Sequence, residues 1–318
     1  MGSEVAGEGT TSAYATVAPS PAPAGHPLPE GEGSVADTLR IAASRLQQAL
    51  GLDRGEARLE ARILVAHALG VDRAWLIAHD RDVPTLPGSA AIQALIARRE
   101  QGEPVAHLLG EKEFYGRPFQ VTPDVLIPRP ETELLVEAAL ARLPKEQPLH
   151  VLDLGTGSGC VAVTLALERP LARVVAVDRA PAALAIARNN ARRLGATNIV
   201  FIPSNWYAGL GVKKFDMIVS NPPYIAAGDP HLHRGDLRFE PNSALAAGTD
   251  GLDAIRAILS GAAAHLEPGG WLLLEHGFDQ GVQVAALLAR HGFGHIRTLR
   301  DLAGLERISL GRRPPGTG

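Results

Sequence analysis

One cysteine in 318 residues, Cys160, is the chain's first shortage, and it excludes an intramolecular disulfide framework. A lone thiol fits a reducing compartment. An excess of one charge is also missing: 31 Lys and Arg face 34 Asp and Glu, a formal net charge of −3. The first 33 residues hold four of the acids and none of the bases, so the remainder is nearly neutral. That balance excludes the global basic footprint of non-specific nucleic-acid binding. No apolar run reaches the ~18 residues of a membrane span. The N-terminus lacks the basic region and apolar core of a secretory signal. These absences predict a cytoplasmic protein with no membrane partner, no direct nucleic-acid partner and no metal. What is present is 46% hydrophobic residues, enough to bury a sizeable core in two domains.

Residues 1–33 are rich in Ala, Gly, Pro, Ser and Thr without periodicity, and are expected to form a disordered tail. Residues 34–110 are expected to form a small helical bundle. Within it Leu59, Ile63 and Ala66 fall at i, i+4 and i+7, and Ile92, Leu95 and Ile96 at i, i+3 and i+4, two apolar helix stripes. Gly51-Leu-Asp-Arg-Gly55 reads as a loop between helices. His67 extends the first stripe and reads as a packing or edge residue. Residues 111–125 read as a hairpin connector, with aromatic and β-branched residues around Gly116. A helix over 134–143 follows, its approach stiffened by Pro128 and Pro130.

From His150 strands and helices alternate. Strands are expected over 151–154, 173–178, 198–202, 215–220 and 270–275, with helices over 161–168 and 182–194. A closing antiparallel pair over 294–299 and 306–310 turns at Ala303-Gly304. The pattern predicts an α/β, doubly wound, mostly parallel sheet over 126–318.

The chemistry gathers at strand ends. Asp153-Leu-Gly155-Thr156-Gly157-Ser158-Gly159 supplies a tight turn and backbone N–H groups at a helix start. Cys160 stands where a dinucleotide-binding Gly-x-Gly-x-x-Gly wants its third glycine, which disfavours a nicotinamide oxidoreductase. Cys160 itself reads as a small buried residue. Asp178 ends the second strand, where its carboxylate accepts from both hydroxyls of a ribose or else caps the helix begun by Pro181. Asn205 and Trp206 follow the third strand, as the edge and face of an adenine site or as packing. The fourth strand delivers Asn221-Pro222-Pro223-Tyr224. Two prolines remove two N–H donors and fix φ, so nearby carbonyls are left free. With an amide and a ring beside them, they form an accepting clamp suited to a planar N–H₂ group, where a plain strand-ending turn is the simpler alternative. Glu275 and Arg129 read either as site residues or as a strand-end acid and a loop-stabilising ion pair.

Together these residues resemble the class I S-adenosylmethionine-dependent methyltransferases that methylate planar nitrogens. The resemblance is closer to the HemK/PrmC family, the peptide chain release factor glutamine methyltransferases. It runs from roughly Ala36 to Arg312 and is carried by Glu103-Pro-Val-Ala-His-Leu108, Leu126-Ile-Pro-Arg-Pro-Glu-Thr-Glu133, Ser220-Asn-Pro-Pro-Tyr-Ile225, Arg238-Phe-Glu-Pro241 and Leu273-Leu-Glu-His-Gly277. It implies a seven-stranded sheet and a monomer. It also implies cofactor contacts from Gly155, Thr156, Gly157, Ser158, Gly159, Asp178, Asn205, Trp206 and Asn221. The target glutamine of a class I release factor, in its Gly-Gly-Gln loop, would be held by Asn221, Pro222, Pro223 and Tyr224, with Asn221, Pro222 and Tyr224 catalytic. Substrate recognition would fall to the helical domain. One departure is Asn205, where the family commonly has Asp. Rival readings are a ribosomal-protein glutamine methyltransferase, which typically lacks the Pro130-Glu131-Thr132 continuation, a DNA adenine methyltransferase, and a nucleotide-binding module without catalysis.

Overall fold

The computed structural model describes residues 33–315; the tail expected over residues 1–33 lies outside them except for Gly33. Five helices come first: α1 (Val35–Leu50), α2 (Arg54–Leu69), α3 (Arg73–Ala78), α4 (Leu86–Glu100) and α5 (Val105–Leu109). Asp53 caps α2 with a reciprocal box, its side chain accepting from the Glu56 N–H while Glu56 accepts from the Asp53 N–H. Gly51 ends α1 in the left-handed conformation, φ 69°. The loop is therefore shorter than expected, and Gly55 lies inside the first turn of α2.

The expected α4 stripe is buried, with Ile92 and Ile96 at the core and Leu95 against it. The expected α2 stripe is not the core face. Leu59 is 55% exposed, and the buried residues are Ala57, Ala61, Leu64 and Val65. That face is built largely of small alanines, so close packing rather than side-chain hydrophobicity decides it. His67 is exposed at the edge.

A hairpin of β1 (Glu111–Phe114) and β2 (Arg117–Gln120) leads through a 3₁₀ turn, Pro130–Thr132, to α6 (Glu133–Leu140). The alternating region then runs β3 (His150–Leu154), α7 (Cys160–Glu168), β4 (Arg173–Asp178), α8 (Pro181–Leu194), β5 (Ile199–Pro203) and β6 (Phe215–Ser220). Two 3₁₀ turns, Pro230–His233 and Gly235–Phe239, and α9 (Asn242–Leu245) cross the strand ends. After them come α10 (Asp253–His265), β7 (Leu266–Glu275), α11 (Gly281–Arg290), β8 (Gly294–Arg300) and β9 (Glu306–Arg312).

The seven-stranded sheet has the order β5-β4-β3-β6-β7-β9-β8, parallel except where β9 pairs with β7 and β8. The chain winds outward from β3 to β5, then restarts at β6 on the other side. That leaves a switch point between β3 and β6, where an open α/β sheet binds its ligand. One core packs α6, α7 and the hairpin on one face, and a second packs α10 and α11 on the other. Asn190 of α8, fully buried, holds the hairpin and the glycine turn together. Its Oδ1 accepts from the Gln120 N–H (2.8 Å), and its amide donates to the Ser158 carbonyl (2.9 Å).

The helical segment is tied to the strand-end crossover by Arg99, only 5% exposed. It pairs with Glu60 (2.8 Å) and Asp236 (2.9 Å) and donates to the Gly102 carbonyl (3.2 Å). Arg238 returns the contact by donating to the Gln101 carbonyl (2.6 Å). Gly102 holds φ 88°, a left-handed conformation that favours glycine, and the Arg238 guanidinium fills the space beside it.

Candidate active site

A cavity of about 400 Å³ opens at the switch point, floored by the turn after β3. Gly155 and Thr156 both donate to the Val177 carbonyl (2.9 Å each), which folds the turn back on β4. The Gly157 N–H donates to Asp178 Oδ2 (3.0 Å), and the Ala180 N–H to Oδ1 (2.9 Å). Asp178 thus gathers the loop while it lines the cavity. It does not cap α8 as the alternative reading expected, because that helix starts after Ala180 with no side-chain cap.

Gly155, Thr156, Gly157, Ser158, Asp178, Asn205, Trp206 and Asn221 all line this cavity. Gly159 does not. It holds φ 83° at the start of α7, and a Cβ there would sit 3.0 Å from Ala187 Cβ. Its role is helix-to-helix approach, not ligand contact. Trp206 adopts φ 52°, a left-handed conformation that a bulky residue rarely takes. Ser204 supports it, donating to the Trp206 carbonyl (2.7 Å) while accepting from the Gly209 N–H (2.8 Å). The ring is half-buried against the core yet reaches the cavity, and Asn205 stands exposed at the rim.

The Asn221-Pro222-Pro223-Tyr224 loop is split between two spaces. Asn221 and Pro223 line the large cavity, whereas Pro222 and Tyr224 line an adjoining one of about 60 Å³. Asn221 lines both. Its amide donates to Thr132 Oγ1 (3.0 Å), while Oδ1 is buried without a hydrogen-bond partner among the described residues. A buried acceptor left open costs free energy. No hydrogen bond among the described residues ends on the Pro222 carbonyl. Past the loop, Ile225 donates to the Leu245 carbonyl (2.9 Å) and accepts from Ala247 (2.9 Å), fixing the clamp's far end. Gln280 holds the Tyr224 carbonyl (3.0 Å). Gly251 packs so close to that carbonyl that a Cβ would collide with it.

Two buried acids flank the site: Asp153 lines the large cavity, and Glu275 faces the Tyr224 hydroxyl. Burial pushes Asp153 up to about 7, against the hydrogen bond from Thr156 (2.7 Å) and with a contribution from the nearby Asp178 charge. Burial likewise pushes Glu275 up to about 7, opposed by the facing hydroxyls of Thr132 and Tyr224. The Tyr224 phenol is raised above its ordinary value by burial, so it stays protonated. Cys160, read from the sequence as a small buried residue, is half-buried and lines the large cavity beside the turn, and desolvation pushes its thiol up to about 12. Arg129 forms the loop-stabilising ion pair, with Glu240, whose other oxygen accepts from the Ile127 N–H (2.8 Å). Arg129 lines both spaces as well.

Reading of the strand ends missed Thr132, Ser243 and Asp253, which also line the large cavity. Thr132 belongs to the Pro130-Glu131-Thr132 run, so a signal was present. The other two come from the crossover and α10, which carried no motif.

A glycine turn, a strand-end acid and an open amide acceptor at the switch point define a group-transfer enzyme of the methyltransferase class. Residues 131–234 match the methyltransferase small domain, and residues 37–110 match the PrmC N-terminal domain. The chain is 51% identical over 258 residues to the release factor glutamine methyltransferase of Xylella fastidiosa (strain Temecula1), covering 81% of this chain and 94% of that protein. It is 53% identical over 260 residues to the enzyme of that name from Bordetella pertussis, covering 81% and 96%. Against the Escherichia coli (strain K12) protein the figures are 46% over 274 residues, 86% and 97%. The chain belongs to the release factor glutamine methyltransferase family.

Proposed function

We propose that the protein transfers a methyl group from S-adenosylmethionine to the side-chain amide nitrogen, N5, of the glutamine in the Gly-Gly-Gln loop of class I peptide chain release factors, modulating translation termination. The observation that carries this is the open Oδ1 of Asn221, a buried acceptor where the large and small spaces meet.

The residues fit a nucleoside-bearing donor in the large space. Asp178 offers its carboxylate to ribose hydroxyls, Trp206 a ring face and Asn205 an amide edge to adenine, and the 155–158 turn its backbone. S-adenosylmethionine, when bound, supplies an electrophilic methyl on a sulfonium.

The small space suits the glutamine amide. An amide nitrogen is a weak nucleophile because its lone pair is delocalised into the carbonyl. Asn221 Oδ1 accepts one N–H and the Pro222 carbonyl the other, which enriches the nitrogen and aims it toward the large cavity. Tyr224 packs against the amide plane and limits its rotation. Near-attack alignment supplies much of the barrier reduction. Fixed acceptors then stabilise the positive charge that grows on nitrogen. With the donor bound, methyl transfer to the held nitrogen would replace one amide proton, which would leave to water. No strong general base is required.

Asn221→Ala, with cofactor binding and methyl transfer measured separately, tests this reading. Transfer to a release factor that survives within about tenfold, a loss under ~1.4 kcal/mol, contradicts the clamp.

A further inference from the structure

An asparagine amide has an accepting end and a donating end of nearly the same shape. Only one orientation serves the clamp. With the oxygen outward, Asn221 accepts from the substrate N–H₂; with the nitrogen outward, two donors face each other. Something in the fold has to choose, and the partner of Asn221 cannot choose alone. Thr132 Oγ1 is a hydroxyl, able either to accept from the amide nitrogen or to donate to the amide oxygen.

Thr132 stands immediately before α6, where a threonine side chain ordinarily accepts from a backbone N–H of the first turn. It makes no such cap bond. Its side chain is turned instead into the interior, where the residue is 2% exposed, and it meets Asn221 at 3.0 Å. Thr132 also faces Glu275, 1% exposed, whose Oε2 has no hydrogen-bond partner among the described residues. Oε1 of the same carboxylate faces the Tyr224 hydroxyl at 3.4 Å.

We propose that Thr132 and Glu275 together set which end of the Asn221 amide faces the substrate. Above the pH of about 7 to which burial raises it, Glu275 is a carboxylate and only accepts, so it accepts from the single hydroxyl of Thr132. Thr132 is then left with lone pairs alone for Asn221, the amide nitrogen turns inward, and Oδ1 is presented outward. The same carboxylate takes the Tyr224 proton, so one buried acid orients the first and last residues of the clamp. Thr132 and Glu275 are positioning residues here, because neither needs to touch the substrate. The proposal rests on the reading of Asn221 given above.

Neutron diffraction from crystals of the wild-type protein reads the orientation without any assay. Amide deuterons directed at Thr132 Oγ1, and a hydroxyl deuteron on the Glu275 side, are expected; an amide oxygen facing Thr132 overturns the proposal. The kinetic test compares Thr132→Val, Thr132→Ser and Glu275→Gln. Thr132→Val is expected to lower kcat at least about tenfold with the KM for release factor within about threefold, the pattern of an interaction that acts in the transition state. Thr132→Ser restores kcat to within about threefold. Because both residues act through one orientation, Thr132→Val/Glu275→Gln falls no more than about threefold below the worse single variant. Additive losses, or a Thr132→Val enzyme near wild type, overturn the proposal. A wild-type enzyme that methylates no release factor contradicts the functional reading instead, and the deuteron positions still decide this one.

Discussion

The two spaces that meet at Asn221 are built from different materials. The large one is floored by backbone: a glycine turn hung on the Val177 carbonyl and drawn in by Asp178. The small one is walled by Pro222 and by side chains whose polar ends depend on others, Asn221 on Thr132 and Tyr224 on Glu275. A backbone site tolerates changes of side chain but not of conformation. A side-chain network fails when a single member is removed. Substrate affinity and chemistry are therefore exposed to different kinds of substitution.

Asn221→Ala breaks the small site and carries the largest expected effect, roughly a hundredfold or more in methyl transfer, as for loss of one preorganised partner. Cofactor affinity should change far less, and a loss equal in both would erase the contrast. Asp178→Ala acts on the large site. It removes the acceptor for Gly157 and the expected ribose contact together, so cofactor Kd should rise roughly ten- to a hundredfold, read by calorimetry, while kcat at saturation holds. Gly159→Ala tests conformation alone. At φ 83°, with a Cβ 3.0 Å from Ala187, it should cost about 1–3 kcal/mol in denaturant unfolding, without contact to either space.

The smallest effect is a pH dependence. Burial raises Glu275 from its ordinary 4.5 to about 7, so the folded protein binds its proton more tightly than the unfolded chain does. Its contribution to stability is complete below pH 4.5 and is lost as pH rises through about 7. Tyr224, Glu131, Arg307 and Cys160 are the titratable or charged groups around it. Melting temperatures of wild type and Glu275→Gln between pH 5 and 8 should diverge, the variant falling less. Parallel curves would contradict that.

The parallel strands, the glycine turn and the proline loop after β6 were legible because each is local: an apolar run, a spacing, a dipeptide of prolines. The first stripe on α2 was misread for a physical reason. Leu59 is the more hydrophobic residue, but Ala57 and Ala61 are the buried ones, and their smallness leaves little pattern to read. The 3₁₀ crossover and α9 to α11 were not anticipated. They are short or flanked by glycine and proline, and they are held by long-range pairs such as Arg99 with Asp236. The split of the clamp between two spaces was equally invisible. Thr132 reaches Asn221 across 89 positions, and no spacing along the chain encodes that meeting.

One measurement bears most directly on the account. Wild-type protein, isotope-labelled S-adenosylmethionine and a purified class I release factor are incubated together, in parallel with ribosomal proteins and DNA, and labelled peptides are mapped by mass spectrometry. The account predicts label on the side-chain nitrogen of the Gly-Gly-Gln glutamine. Label in DNA or a ribosomal protein, with the release factor left unmodified, would contradict it.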